Sequence, residues 1–426
     1  MVAPSPLPLP RDAGSVPDRP LLVSEPALGP EEAAALAAVV ESGWITMGPR
    51  VREFERSFAA MHQAEDAVAV NSCTAALHLI LQALGLGPGD EVLVPALTFV
   101  ASANSVLYVG AKPVFVDIAS PDLPLMSLED AAAKCTPRTK AVILVHFAGY
   151  LPDRAAWRAF ADARGLRLVE DAAHAAGLPG AGALGDAAAF SFYGNKNMTT
   201  AEGGMVLAAD AGLREAIRQA RGHGMTSGAH QRLATRAAAY DVTALGWNYR
   251  LDELRAAIGL VQLVHLPAWN EARRALAALY RSGLRRACPD VTVPFEAGQP
   301  SVHHIMPVLL PPGTDRQRVV DALWARDIQT TIHYPPVHLL SYYRTLLPGI
   351  RLPATEDFAA RELTLPLHPG LKAADVERVI AALAEILAQQ ASRPEPGLPR
   401  AAAGAGPART GTPERAARLE PAEEQR

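Results

Sequence analysis

The chain has 426 residues, of which 49% are hydrophobic and 20% charged, with a formal net charge of −4. That is enough apolar material for a sizeable core and for two or three domains of about 150 residues, and too little positive charge for a nucleic-acid or membrane-surface partner. Three dispersed cysteines, Cys73, Cys135 and Cys288, argue against a disulfide framework or a zinc site and fit a reducing cytoplasm, and no apolar run reaches the about 20 residues that span a bilayer.

Residues 1–20 are proline-rich and lack the basic start and apolar centre of a signal peptide, so they read as a disordered arm. Pro30-Glu31-Glu32 opens a helix, with proline and acids in its first turn. Val51 to His62 forms a second, with apolar positions at Val51, Phe54, Phe58 and Met61. From Val68 strands and helices alternate. Strands are expected at Val68–Val70, Glu91–Val94, Pro113–Asp117, Ala141–His146, Arg167–Glu170, Ala187–Phe192 and Met205–Ala208. Helices are expected between them at Ala75–Leu84, Val100–Val109, Leu128–Lys134 and Ala155–Ala163. This alternation predicts an α/β domain over residues 21–266, with a mostly parallel sheet covered on both faces.

After Arg250 the pattern changes. Helices are expected at Asp252–Leu263, Trp269–Leu284, Asp315–Arg326 and Asp375–Gln389, with short strands near Val291–Val293 and His304–Leu310. These make a smaller α+β domain over residues 267–392, divided from the first at Leu266-Pro267. Residues 393–426 set prolines, Pro394, Pro396, Pro399, Pro407 and Pro413 among them, amid Ala, Gly, Glu and Arg and read as a disordered tail.

Three strand ends carry chemistry. Val68 to Val70 runs into the small polar turn Asn71-Ser72-Cys73-Thr74 and then a helix, a ready anion site. A second strand ends in Glu170-Asp171, beyond the carboxyl end of the sheet where ligands bind in open α/β folds. Lys196 lies on the loop between the strands ending near Phe192 and starting at Met205. Phosphate cradle, acid and lysine are what a pyridoxal 5'-phosphate (PLP) site needs: the lysine forms the Schiff base and the acid pairs with the pyridinium nitrogen.

With Gly89-Asp90-Glu91-Val92, Thr98-Phe99, Gly110-Ala111-Lys112-Pro113-Val114-Phe115-Val116-Asp117, Glu170-Asp171-Ala172-Ala173-His174, Ser191-Phe192-Tyr193, Glu202-Gly203-Gly204 and Gly246-Trp247-Asn248-Tyr249-Arg250, the chain resembles the DegT/StrS-type family of PLP-dependent sugar aminotransferases over residues 25 to 390. The resemblance implies the aspartate-aminotransferase fold and a homodimer with shared active sites. It implies that Lys196 carries the cofactor and that Asp171, the second acid of its pair, holds the ring nitrogen. Dehydrases of this family carry histidine at the lysine position, so a retained lysine implies transamination.

Ser72, Cys73, Thr74 and Ser191 would receive the phosphate, with Asn248 supplied by the second subunit. Phe99 would stack on the cofactor ring and His174 would touch its oxygen. Substrate contacts would come from Trp44, Arg250, His333 and Tyr334, with Arg250 facing a donor carboxylate or a substrate phosphate, or serving structure alone. Ala201 departs from the family, where glycine usually precedes Glu-Gly-Gly; if φ is positive there, alanine is strained. The activity implied is transfer of an amino group from glutamate or glutamine to a ketone of a nucleotide-linked deoxyhexose, in cytoplasmic amino-sugar biosynthesis for polysaccharides or antibiotics. Alternatives are a keto-cyclitol acceptor, another PLP reaction of the family, and a non-catalytic regulator with this fold, against which an intact Lys196 and Asp171 argue. No metal is implied.

Overall fold

The computed structural model describes residues 20–391 apart from 229, 231, 233–235, 237 and 238. Except for Pro20, the arm and tail expected at 1–20 and 393–426 lie outside the described residues. The chain begins with α1 (Pro30–Ser42), α2 (Pro49–Met61), β1 (Ala67–Val70), α3 (Cys73–Ala83), β2 (Glu91–Pro95), α4 (Ala101–Tyr108) and β3 (Lys112–Val116). It continues with α5 (Leu128–Lys134), β4 (Thr139–Val145), α6 (Arg154–Arg164), β5 (Arg167–Asp171), β6 (Ala187–Ser191), β7 (Gly204–Ala208) and α7 (Ala211–Ala220). All seven expected strands are present and join one sheet in the order β1-β7-β6-β5-β4-β2-β3. Only β7 runs against its neighbours, β1 and β6.

Strands buried on both faces explain the uninterrupted apolar runs. Val68, Val70, Ala187, Ala189 and Val206 pack with α3, α4 and α7 on one face. Ala67, Ala69, Ala188, Phe190 and Met205 meet α2 on the other. Towards the β3 edge, Leu93, Val142 and Leu168 pack with Trp157 and Phe160 of α6.

The two helices expected at Asp252–Leu263 and Trp269–Leu284 are one, α8 (Glu253–Ala287), which runs through Pro267. An interior proline removes a helical hydrogen bond. Burial on both sides of it, at Leu263 and Leu266 before and Asn270 and Arg273 after, holds the helix together. Its first half packs on α1 and α2 and its second on the C-terminal helix. Beyond it come β8 (Met306–Leu309), α9 (Arg316–Trp324), α10 (Ser341–Leu346), α11 (Pro353–Arg361), β9 (Glu362–Leu365) and α12 (Ala373–Ala391). Strands β8 and β9 pair antiparallel and share a separate core with Leu276, Tyr280 and Leu284 of α8. The strand expected near Val291–Val293 is a single bridge from Thr292 to Leu309, while α7, α10, α11 and β9 were not expected.

Candidate active site

Lys196 stands on a loop that leaves β6 and folds back on it. Lys196 N donates to Tyr193 O at 3.0 Å, and Thr200 N returns to Phe192 O at 2.9 Å. Thr199 Oγ1 donates to that same oxygen at 3.2 Å and accepts from Ala201 N at 2.9 Å. Burial lowers the pKa of the Lys196 amine from 10.5 to about 8, against the opposing pull of Cys73 and Asp171. Ala201 does have a positive φ, 66°. Left-handed backbone costs alanine about 1–2 kcal/mol, partly offset by the greater unfolded-state freedom of glycine. Ala201→Gly is therefore expected to stabilise the chain by about 0.5–1 kcal/mol, read as a small rise in melting temperature; a fall would show that the turn does not govern stability there.

The two acids at the end of β5 point to opposite faces, as strand neighbours must. Glu170 accepts from Gly182 N, Leu184 N and Gly185 N at 2.8 Å each, and meets His146 Nε2 at 2.7 Å. Burial pushes its pKa up, but His146 and the glycine N–H groups outweigh that and hold it below the usual carboxylate range. Glu170 is thus committed to the loop that follows. Asp171 is 5% exposed and faces Lys196's side of the sheet. Its Oδ2 accepts from Ser102 Oγ at 2.6 Å and its Oδ1 from Ala173 N at 3.2 Å, with Cys73 Sγ at 3.9 Å.

The expected cradle lies at the start of α3. Ser72 is its N-cap, its Oγ accepting from Ala75 N at 3.1 Å. Register places Gly204 opposite both Val70 and Ser191, so the Ser72 turn and Ser191 border the same short β7 end. A Cβ on Gly204 would meet the Ser72 carbonyl carbon at 2.5 Å and Cys73 N at 2.7 Å, which is why glycine occupies this position. Burial pushes the Cys73 thiol well up, keeping it protonated. Thr74 follows within the first turn of α3.

His174 is 5% exposed, accepts at Nδ1 from Ala148 N at 3.2 Å and meets Tyr334 OH through Nε2 at 2.9 Å. Burial, then Lys196 and neighbouring histidines, hold its pKa well below the ordinary value. Tyr334 links this group to Phe99, whose ring lies 6.0 Å away and is 58% exposed. His333 is buried, its Nδ1 against Thr364 Oγ1 at 2.8 Å. Lys196, Asp171, Ser72, Cys73, Ser191, His174, His333, Tyr334 and Phe99 are thus gathered at the carboxyl ends of β5 and β6.

Asn248, Arg250 and Trp44 stand apart from this group, with no hydrogen bond or ring contact to Lys196, Asp171, His174 or Tyr334 among the described residues. Asn248 is exposed, its backbone oxygen accepting from Asn71 Nδ2 at 3.3 Å. Arg250 lines a cavity of about 790 Å³ with Arg52, Arg56 and Arg221. Trp44 stands edge-on to His230 at 5.4 Å. Conversely, Ser102, Asn197 and His304 touch the site but were given no role from sequence. Ser102 stands one helical turn beyond the Thr98-Phe99 motif, which is a signal that spacing alone offered; His304 had none.

The donor set fits PLP. An amine held near neutrality faces a carboxylate whose second oxygen is steadied by a hydroxyl, and a glycine-backed helix start lies beside them. Comparison with known proteins agrees. The chain matches the DegT/DnrJ/EryC1/StrS aminotransferase family over residues 26–384. It is 39% identical to DesV of S. venezuelae, solved in complex with a ketimine intermediate, over 84% of this chain and 94% of that one, with a TM-score of 0.77. It is 34% identical to DesI, solved in the presence of its TDP-sugar product, over 88% and 94%, with a TM-score of 0.78. NtdA from Bacillus subtilis, solved with the bound cofactor PMP, is 28% identical over 84% and 82%, with a TM-score of 0.78. The chain belongs to the DegT/DnrJ/EryC1/StrS family of PLP-dependent aminotransferases, with their aspartate-aminotransferase-like fold.

Proposed function

We propose that this enzyme moves an amino group from glutamate or glutamine to a ketone of a nucleotide-linked deoxyhexose. The observation that carries the reading is the depressed Lys196 amine beside Asp171, in a chain 34% identical to DesI, whose product is a TDP-sugar. Arg52, Arg56 and Arg250 line one cavity, where Glu55 and Asp66 are paired with Arg221 and Arg218, and these arginines suit an anionic substrate group.

When bound, PLP supplies an electron sink for the charge left at the donor Cα after proton loss. The rest falls to side chains. Ser72, Cys73, Thr74 and Ser191 bind the phosphate at the start of α3. Asp171 keeps the proton on the ring nitrogen, and Ser102 fixes the carboxylate's orientation. Phe99 would cover the cofactor ring, and His174 would contact its ring oxygen. Lys196 would hold the cofactor through its amine, and the same amine would carry the donor Cα proton. Trp44, Arg250, His333 and Tyr334 position the substrate. The large domain, 21–266, supplies most of these groups and the small one, 267–392, supplies His333 and Tyr334. Their separate cores support that division. No described helix is long and apolar enough to cross a membrane, and the reading places the enzyme in the cytoplasm.

A helix start carries only about half a charge against nearly two on the phosphate, so a further donor is needed. Asn248 of a second protomer is that donor in this reading. Mixed dimers of Lys196→Ala and Asn248→Ala chains are then expected to recover towards half of wild-type activity at limiting PLP, because one site carries both defects and the other neither. No recovery, with subunit exchange verified, would place each site within one chain. Substrate choice is tested by presenting the pyridoxamine-loaded protein with keto-sugar nucleotides and keto-cyclitols. Turnover of the nucleotide-linked ketones is expected; turnover of cyclitols alone would overturn the sugar assignment.

A further inference from the structure

Two backbone carbonyls dictate the direction of every hydrogen bond leading to Lys196. Asn270 Nδ2 donates to Ala176 O at 3.1 Å, which turns its Oδ1 towards Asn197. Asn197 Nδ2 donates to that oxygen at 2.7 Å and to Val302 O at 3.0 Å. Turning either amide over would set oxygen against oxygen. Asn197 Oδ1 is therefore the atom that meets His304 Nδ1 at 2.9 Å. An amide oxygen only accepts, so Nδ1 carries the hydrogen. Burial, with repulsion from His174, Lys196 and Arg273, keeps the ring neutral. Nε2 is then a bare lone pair, 3.4 Å from Lys196 Nζ. The ring is also held from its side, 4.2 Å from that of His174.

We propose that His304 is a positioning residue for Lys196: locked in its Nδ1–H form, it presents Nε2 as a fixed acceptor for one Lys196 N–H. The amine is aimed by this bond, and its lone pair is left on the side away from His304. No proton changes hands, so the ring need never become charged in its buried site. The inference rests on Lys196 being the amine that holds the cofactor, but its consequences are read in the cofactor-free chain.

The groups facing Lys196 are Cys73 and Asp171 on the acidic side and His174, His333 and His304 on the other. An acceptor favours the ammonium form, so its loss lowers the pH at which Lys196 becomes reactive. His304→Asn keeps a donor near the place of Nδ1 and loses the acceptor. His304→Gln reaches the place of Nε2 and keeps one. The rate at which acetic anhydride modifies Lys196 in the cofactor-free protein, located by peptide mass, is followed against pH. The midpoint is expected to fall by about one pH unit in His304→Asn, the scale of one hydrogen bond to a charged group, and to stay near wild type in His304→Gln. An unchanged midpoint in His304→Asn, or equal falls in both, overturns the proposal, since mere space-filling would not tell the two apart. The wild-type chain carries a second test that no folding defect can obscure. Its 15N histidine spectrum is expected to show His304 with hydrogen on Nδ1 and a bare Nε2; hydrogen on Nε2 overturns the proposal. Cofactor found on another lysine would defeat the functional reading and leave these two results standing.

Discussion

Lys196→Ala is expected to abolish transamination and to leave no covalently held cofactor. Borohydride treatment of the wild-type chain, followed by peptide mapping, should place the cofactor mass on Lys196 alone. Capture needs a neutral amine, and burial lowers the Lys196 pKa from 10.5 to about 8. For a lysine that shift enlarges the neutral fraction: at pH 8 about half of the amine is neutral, against under about 1% for a free side chain. The rate of PLP capture by the cofactor-free chain should therefore rise with pH and level off just above 8. A rise continuing past pH 10 would mean that the amine is solvated, and label on another lysine would sink the assignment. The variant should still fold, because the loop is held by backbone bonds from Lys196 N and Thr200 N that a side-chain change leaves intact.

Asp171→Ala should act differently, leaving capture possible while crippling proton removal from the donor. Asp171 holds its place through Ser102 and Ala173, so both oxygens are oriented before any cofactor arrives. Removing one pre-oriented electrostatic partner of a developing charge typically costs about a hundred- to a thousandfold in rate. Single-turnover spectra with glutamate as donor would read that loss directly. Conversion at the wild-type rate would refute the role given to Asp171. Ser102→Ala should be milder, since it frees the carboxylate to move without removing its charge.

The parallel sheet was legible because its strands are buried on both faces and read as short apolar runs between Gly- and Pro-containing turns. β9 escaped for the opposite reason. Glu362 and Thr364 are both 1% exposed, so the strand has polar side chains where an apolar signal would be sought. The length of α8 escaped because Pro267 reads as a stop, and only tertiary burial on either side overrules it. At the candidate site, the proximity of Lys196 and Asp171 was legible because each sits where a strand of the sheet ends. Ser102 and His304 were not: they meet their partners across 69 and 107 positions. Nothing local in either segment announces such a contact. The choice between Glu170 and Asp171 came from family resemblance; in the structure three N–H groups and a histidine occupy Glu170, while Asp171 faces Lys196.

The position of β1 has a consequence for the order of events during synthesis. Its neighbour in the sheet is β7, some 130 residues later, and not β2. A ribosome that has released the chain as far as β6 has delivered five strands able to zip together in parallel, β2 to β6, while Ala67–Val70 still has no ladder to join. The Ser72 turn at the end of β1 must wait with it until Gly204 emerges. Long-range pairings of this kind are slow and leave apolar strands open to wrong partners. At about 5–20 residues per second, β1 waits for several seconds or more, the interval in which a holding chaperone would find its clearest target on this chain.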